Sequence, residues 1–328
     1  MKKKVIFLGV GGTVGGVASS ADDNVGYVAA QVGIESLLAG IPGLHEALQG
    51  HEVRFEQVAQ LDSKDLDFSD CATLSMRIAH YLSMHDVCAV IVTHGTDTLE
   101  ESAFFLNETI PTRLSSTKPI VLTCAMRPAS SLFPDGPRNI LDAVSVATTP
   151  CAVGVIVVCA GAAYLGEGIE KVHPYRLDAF DAGESAPIGF IEERNLRRVG
   201  PWPSPSANAD RNAEAIRSVA IWPRVEILTS YIGANRASVS ALLACPPDVP
   251  PVKGIVVAST GNGTLHNALE EGLRQALAAG VRVIRTSRCR QGRIVTGQAA
   301  KETFPVALNA HPLKARISLI LELLSTNS

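Results

Sequence analysis

The chain has 328 residues, of which 46% are hydrophobic and 19% charged, with a formal net charge of −3. That is enough for a large core in one α/β unit or two domains, and it lacks the basic footprint of a nucleic-acid binder. No apolar run approaches the roughly 18–20 residues that cross a bilayer, so neither nucleic acid nor membrane is an expected partner. In chain order, the apolar runs Val5–Leu8, Val87–Val92, Ile120–Thr123 and Val153–Val158 read as strands covered on both faces, as in a parallel sheet. Between them Leu74, Ile78 and Leu82 recur at helical spacing. A second helix is expected from about Thr98 to Asn107, and a third from Gly136-Pro137, where proline suits the first helical position.

The segment from Gly200 to Ser206, with prolines at 201, 203 and 205, cannot continue a helix or a central strand and marks a linker. Alternation then resumes: Val225–Leu228, a helix around Val239–Leu243, Gly254–Val257, a helix from about Leu265 to Ala278, Val281–Ile284 and a closing helix over Leu313–Leu324. The expected fold class is α/β, with a larger N-terminal parallel-sheet domain (1–199), a linker (200–216) and a smaller C-terminal α/β domain (217–328). The cysteine count of 7 is odd and shows no zinc-ligand spacing. Cys88, Cys124 and Cys159 fall in or beside apolar runs, where a thiol acts as a small hydrophobe, so reduced structural cysteines and a reducing compartment are expected.

The opening stretch KKKVIFLGVGGTVGG admits three readings: a secretory leader, a phosphate-holding glycine loop, or a strand delivering Thr13 to an active site. Gly9 and Gly11 fit a dinucleotide fingerprint, but Val14 stands at its third glycine and no helix start follows. A second stretch, Thr93-His94-Gly95-Thr96-Asp97-Thr98-Leu99-Glu100-Glu101, also places a threonine after glycine at the end of an apolar run. Two such strand ends in a parallel sheet can bring Thr13 and Thr96 to one crevice.

These motifs, with Ala125-Met126-Arg127-Pro128, Asp135-Gly136-Pro137, Asn139, Lys171, Ala179-Phe180 and Gly261-Asn262-Gly263, resemble the bacterial L-asparaginase family over nearly the whole chain. The resemblance implies a flavodoxin-like larger domain and hydrolysis of L-asparagine to L-aspartate and ammonia through a threonine acyl-enzyme. Thr13 is then the nucleophile. Tyr27 helps activate it, from a loop (Val14 to Val25) that serves as a mobile lid. Thr96, Asp97 and Lys171 form the second catalytic cluster; a buried lysine can present a neutral amine. Ser63, Thr96 and Asp97 bind the substrate, and Asn262 is contributed by a neighbouring subunit. The family resemblance further implies a homotetramer built as a dimer of dimers, with no cofactor and no metal. Since only Met1 and three lysines precede the first strand, the expected location is the cytoplasm.

Two departures from the family pattern stand out. Lys64 replaces a common glutamine after the serine, and at Gln298-Ala299 the acidic or hydroxyl residue that some members place there is missing. Both predict a weaker hold on the substrate's ammonium. His94 is read as structural, and Arg127 with Asp135 as an ion pair bracing their loop. The alternatives are a glutaminase-asparaginase of broader specificity, an amidotransferase subunit acting on tRNA, and a non-catalytic amino-acid sensor. One methylene separates the substrates of the first, worth only about 1–3 kcal/mol.

Overall fold

Strand β1 (Lys4–Gly11) is buried along nearly its whole length, because each face of it meets a different part of the core. Ile6, Leu8 and Val10 pack with Leu74, Ile78 and Leu82, whereas Val5 and Phe7 pack with Ile140, Ala143 and Val144. The computed structural model describes residues 2–296, 304–307 and 311–326. The chain separates into two units, one ending at Ala213 and the other beginning at Glu214.

In the first unit the helices are α1 (Ile34–Ala39), α2 (Leu44–Ala47), α3 (Phe68–Ser83), α4 (Leu99–Thr109), α5 (Thr112–Ser115) and α6 (Gly136–Ala147). After β1 the strands are β2 (Glu52–Leu61), β3 (Val87–Thr93), β4 (Pro119–Thr123), β5 (Gly154–Cys159), β6 (Ala162–Leu165), β7 (Glu170–Lys171), β8 (Phe180–Asp181), β9 (Gly189–Glu192) and β10 (Asn195–Arg198). Among the described residues, eight of them form one sheet in the order β10-β9-β6-β5-β4-β3-β1-β2. The run β2-β1-β3-β4-β5 is parallel throughout, the doubly wound flavodoxin-like order. The sheet is mixed, however: β6, β9 and β10 extend it antiparallel. All three are short, and β9 and β10 are partly or largely exposed, so they lack the continuous apolar signal of the central strands.

Local sequence explains the helices that flank the site. Asp67 and Asp70 form a capping box that starts α3, and the Leu74–Ile78–Leu82 stripe faces the sheet. α6 starts at Gly136-Pro137 as its proline predicts, and α4 extends two residues beyond the expected Asn107. Val5 to Leu8 are fully buried in a strand flanked on both sides, by β2 and β3, so this stretch is an interior strand and not the core of a leader. Cys124 and Cys159 are buried and all seven cysteines are free.

The chain leaves the first unit within α7 (Ala209–Ala215), so the later part of the expected 200–216 connection is helical. Among the described residues, the second unit is a parallel three-stranded sheet, β11 (Arg224–Thr229), β12 (Val252–Ser259) and β13 (Arg282–Ser287), with α8 (Ala237–Leu243), α9 (Asn267–Ala278) and α10 (Pro312–Thr326). No described helix is long and apolar enough to cross a membrane.

Candidate active site

In a sheet of order 2-1-3-4-5 the chain leaves β1 and β3 in opposite directions, and a crevice opens between their carboxyl ends. Gly12 and Gly95 meet at that point. A Cβ on Gly12 would stand 2.2 Å from Gly95 Cα, and one on Gly95 would stand 2.4 Å from Ser63 Oγ. Gly12 also has φ +84°, a conformation that side chains disfavour. The two turns can touch only because both residues lack side chains, and Thr13 and Thr96 follow them directly. Both threonines are buried, at 6% and 5% exposure.

Tyr27 reaches back over the first turn and sets its Oη 2.7 Å from Thr13 Oγ1. Its ring lies against Gly16, where a Cβ would come within 2.7 Å of Cδ2. The loop that carries it is pinched at its neck, where Val17 and Val28 exchange backbone hydrogen bonds of 3.0 and 2.9 Å. Farther out it is tied to the segment before α6. Ala18 N donates to Ser130 Oγ (2.8 Å), Ser131 Oγ to Asn24 Oδ1 (2.7 Å) and Leu132 N to Ala21 O (2.9 Å). Burial raises the Tyr27 pKa, and the carboxylates Asp97 and Asp62 push the same way against the hydrogen bond from Thr13. The group is therefore a phenol at neutral pH.

The second cluster is built on the turn from β3 into α4. Lys171 Nζ donates to Thr96 Oγ1 at 2.9 Å and to Asp97 Oδ1 at 2.6 Å. Because Thr96 Oγ1 accepts from the ammonium, its own hydrogen is left to point elsewhere. Ser63 Oγ accepts from Asp97 N (3.2 Å) and Ser63 O from Thr98 Oγ1 (2.8 Å), so the serine turn is fastened to the same wall. Thr13 with Tyr27, and Ser63 with Thr96, Asp97 and Lys171, thus form two groups that adjoin where Gly12 meets Gly95. Glu100, quoted in the sequence only as part of a motif, also takes part: its Oε2 accepts from Lys171 N at 2.6 Å. An acidic residue in the first turn of a helix is too common to have singled it out.

Other expectations are modified. His94 is fully buried, its Nδ1–H donates to Gly95 O at 2.7 Å, and burial lowers its pKa to about 4, which suits a structural part. Arg127 and Asp135 do not pair. Asp135 accepts from the backbone of Met126 and Arg127 at 2.9 Å each and from Asn139 Nδ2 at 3.2 Å. Arg127 instead stacks over Tyr175 at 4.1 Å and donates to its carbonyl. The carboxylate braces the loop through amides whose geometry outcompetes a flexible guanidinium. Lys64 Nζ is 2.5 Å from Asp65 Oδ2 and 3.6 Å from Asp62 Oδ2, so its charge is neutralised locally. Asn262 belongs to the second unit, where its amide exchanges hydrogen bonds of 2.9 and 2.7 Å with the backbone of Val295. Gln298 and Ala299 lie outside the described residues.

Residues 4–201 match the family described as Asparaginase, N-terminal, and residues 224–328 the Glutaminase/Asparaginase C-terminal domain. The chain is 32% identical over 323 residues to L-asparaginase 2 of Bacillus subtilis, covering 98% of this chain and 82% of that protein. It is 33% identical over 329 residues to the glutaminase-asparaginase of Pseudomonas fluorescens, covering 98% and 86%. A crystal structure of a probable cytoplasmic L-asparaginase from Campylobacter jejuni superposes with a TM-score of 0.88 at 30% identity, covering 100% of this chain and 97% of the other. With family matches on both sides of the 202–223 stretch and a fold shared from end to end, the chain belongs to the asparaginase family.

Proposed function

We propose that the protein hydrolyses L-asparagine to L-aspartate and ammonia, with Thr13 as nucleophile. The observation that carries this is the apposition of Gly12 and Gly95, which presents Thr13 with its Tyr27 phenol beside Thr96 with its lysine–aspartate pair. Thr13 Oγ1 attacks the side-chain amide carbon. Its proton passes to Tyr27 Oη as the phenol hands its own proton to the departing nitrogen, so ammonia leaves and Tyr27 is unchanged. The tetrahedral oxygen is held by the amides of Thr13 and Thr96, since Asp97 N is given to Ser63. Water held by Thr96 and Lys171 then attacks the ester, and the proton returns to Thr13. Ser63 and Thr96 receive the substrate's α-carboxylate, and Asp97 its ammonium.

The catalytic work falls to residues 1–199, joined by 200–216 to a C-terminal domain of residues 217–328. The assembly is a cytoplasmic homotetramer, a dimer of dimers in which Asn262 reaches a neighbour's site. Its amide keeps a second N–H and a second lone pair beyond the bonds to Val295. Activity on L-glutamine is the second reading. It is favoured by the Pseudomonas relative, and by the small discrimination one methylene allows.

Ammonia release from both amides by wild type, Thr13→Ala and Thr96→Ala tests these readings together. The expected result is release from asparagine that falls by about 10³-fold or more in either variant. Trapped acyl-enzyme should carry the aspartyl group on Thr13. Binding of asparagine without turnover would replace the enzyme reading with an amino-acid sensor.

A further inference from the structure

Lys171 is held at both ends by a single stretch of chain. Its ammonium is gripped by Thr96 and Asp97 (2.9 and 2.6 Å), and its backbone N–H by Glu100 Oε2 (2.6 Å). All three acceptors lie between Thr96 and Glu100, where the turn after β3 enters the first turn of α4. Glu100 is 7% exposed, and a carboxylate persists at that depth only with hydrogen bonds to it. The positive end of the α4 dipole also favours it there.

The ribbon that carries the lysine is anchored in the core through Ile169, Ala179 and Phe180, and Glu100 adds a bond to its main chain beside the lysine. β7 and β8 pair only with each other, through Glu170–Asp181 and Lys171–Phe180, apart from the eight-stranded sheet. The bond from Glu100 ties its main chain to the segment that bears Thr96 and Asp97.

We infer that Glu100 is a positioning residue: it sets the distance between the Lys171 main chain and Thr96, so that the lysine side chain places Nζ between Thr96 and Asp97. The inference rests on the reading of Lys171 as catalytic. What matters on this account is the reach of the acceptor, not its charge.

Three substitutions separate reach from charge. Glu100→Gln keeps the length and one acceptor oxygen. Glu100→Asp keeps the charge but withdraws it by about one bond length, roughly 1.5 Å. Glu100→Ala removes both. A displacement of about 1 Å in a catalytic group costs on the order of 10²-fold. The expected order of kcat for ammonia release is therefore wild type, then Gln down by no more than about fivefold, then Asp and Ala down by about 30- to 100-fold. KM should change by less than about threefold throughout, because Asp97 is held independently through its amide bond to Ser63.

An Asp variant that equals or exceeds the Gln variant overturns the inference, as does a folded Ala variant with kcat within about threefold of wild type. If the Ala variant does not fold, the order of Gln and Asp still decides. Lys171→Met is assayed alongside. Full activity there overturns the catalytic reading of the lysine itself, whereas its loss together with an undisturbed Glu100→Ala overturns the tether alone.

Discussion

Tyr27 Oη stands 2.7 Å from Thr13 Oγ1, and burial together with Asp97 and Asp62 holds that phenol above its ordinary pKa of 10.0. A resident phenolate is therefore not available near neutral pH, and on the proposed mechanism the hydroxyl is a relay that takes one proton while giving another. Tyr27→Phe should lower kcat by about 10²- to 10³-fold, within the range for a lost acid–base partner. Since the phenol stays protonated until the pH passes 10, kcat/KM should show no alkaline limb from this group between pH 7 and 10. A limb near pH 8 that disappears in Tyr27→Phe would mean that the phenolate is the working species.

Lys64 stands between Asp62 and Asp65 on an exposed turn next to Ser63, and its pKa is raised chiefly by the hydrogen bond to Asp65. The expected weaker hold on the substrate's ammonium has a local cause, because the lysine cancels negative charge already present. Lys64→Gln uncovers both carboxylates, which lie within reach of the field felt by a bound ammonium. KM for asparagine should fall by about two- to fourfold at low salt, and the gain should shrink by 0.5 M salt as screening shortens to a few ångströms. The two KM values are to be compared at both ionic strengths. Equal values at low salt would remove Lys64 from any role in substrate affinity.

The strands that carry the site were readable because they are buried on both faces, so Val5–Leu8 and Val87–Val92 show unbroken apolar runs. Thr13 and Thr96 were readable because each follows a glycine at the end of such a run. Tyr27, Lys171 and Ser63 carry no local signal of that kind. They reach the crevice on a loop, a two-residue strand and a 3-10 turn, and only the family resemblance singled them out. The antiparallel extension was missed for a related reason: β9 and β10 are short, and β10 is largely exposed. Pairings of side chain with backbone, such as Asp135 with the amides of Met126 and Arg127, leave no trace in residue types and were misread as an ion pair.

His94 lies directly before Gly95, is fully buried and donates through Nδ1 to the Gly95 carbonyl. Its pKa is lowered from 6.5 to about 4, by burial first. The unfolded chain thus binds a proton between pH 6.5 and 4 that the folded chain does not, so stability rises with pH across that window and is lost as pH falls. The loss from this residue between pH 7 and 4.5 is on the order of 2–3 kcal/mol. In denaturant unfolding, the stability of His94→Asn should fall less steeply over the same range by about that amount, whatever its value at pH 7. Parallel slopes for the two proteins would contradict a buried neutral imidazole.

Gly12 offers the most direct control on the contact that aligns the threonines. Gly12 and Gly161 both have positive φ, +84° and +76°, so an alanine at either position is strained; Gly12, with ψ −166°, lies in a region open essentially to glycine alone, where the cost is about 1–3 kcal/mol. Their surroundings differ. A Cβ at Gly161 finds no atom within 4 Å, whereas one at Gly12 would lie 2.2 Å from Gly95 Cα and 2.5 Å from Gly95 N. Backbone atoms cannot rotate aside as a side chain can, so Gly12→Ala has to part the turns after β1 and β3. Overpacking adds about 1–3 kcal/mol to the strain. Gly161→Ala should therefore keep its kcat with a small loss of stability. Gly12→Ala should lose about 2–6 kcal/mol and, in whatever fraction stays folded, at least about 10²-fold in kcat, because Thr13 moves away from Thr96. Denaturant unfolding and ammonia release on the two variants give both readouts. If Gly12→Ala is destabilised yet turns over at the wild-type rate, the glycine contact serves the fold alone and some other element aligns the two hydroxyls.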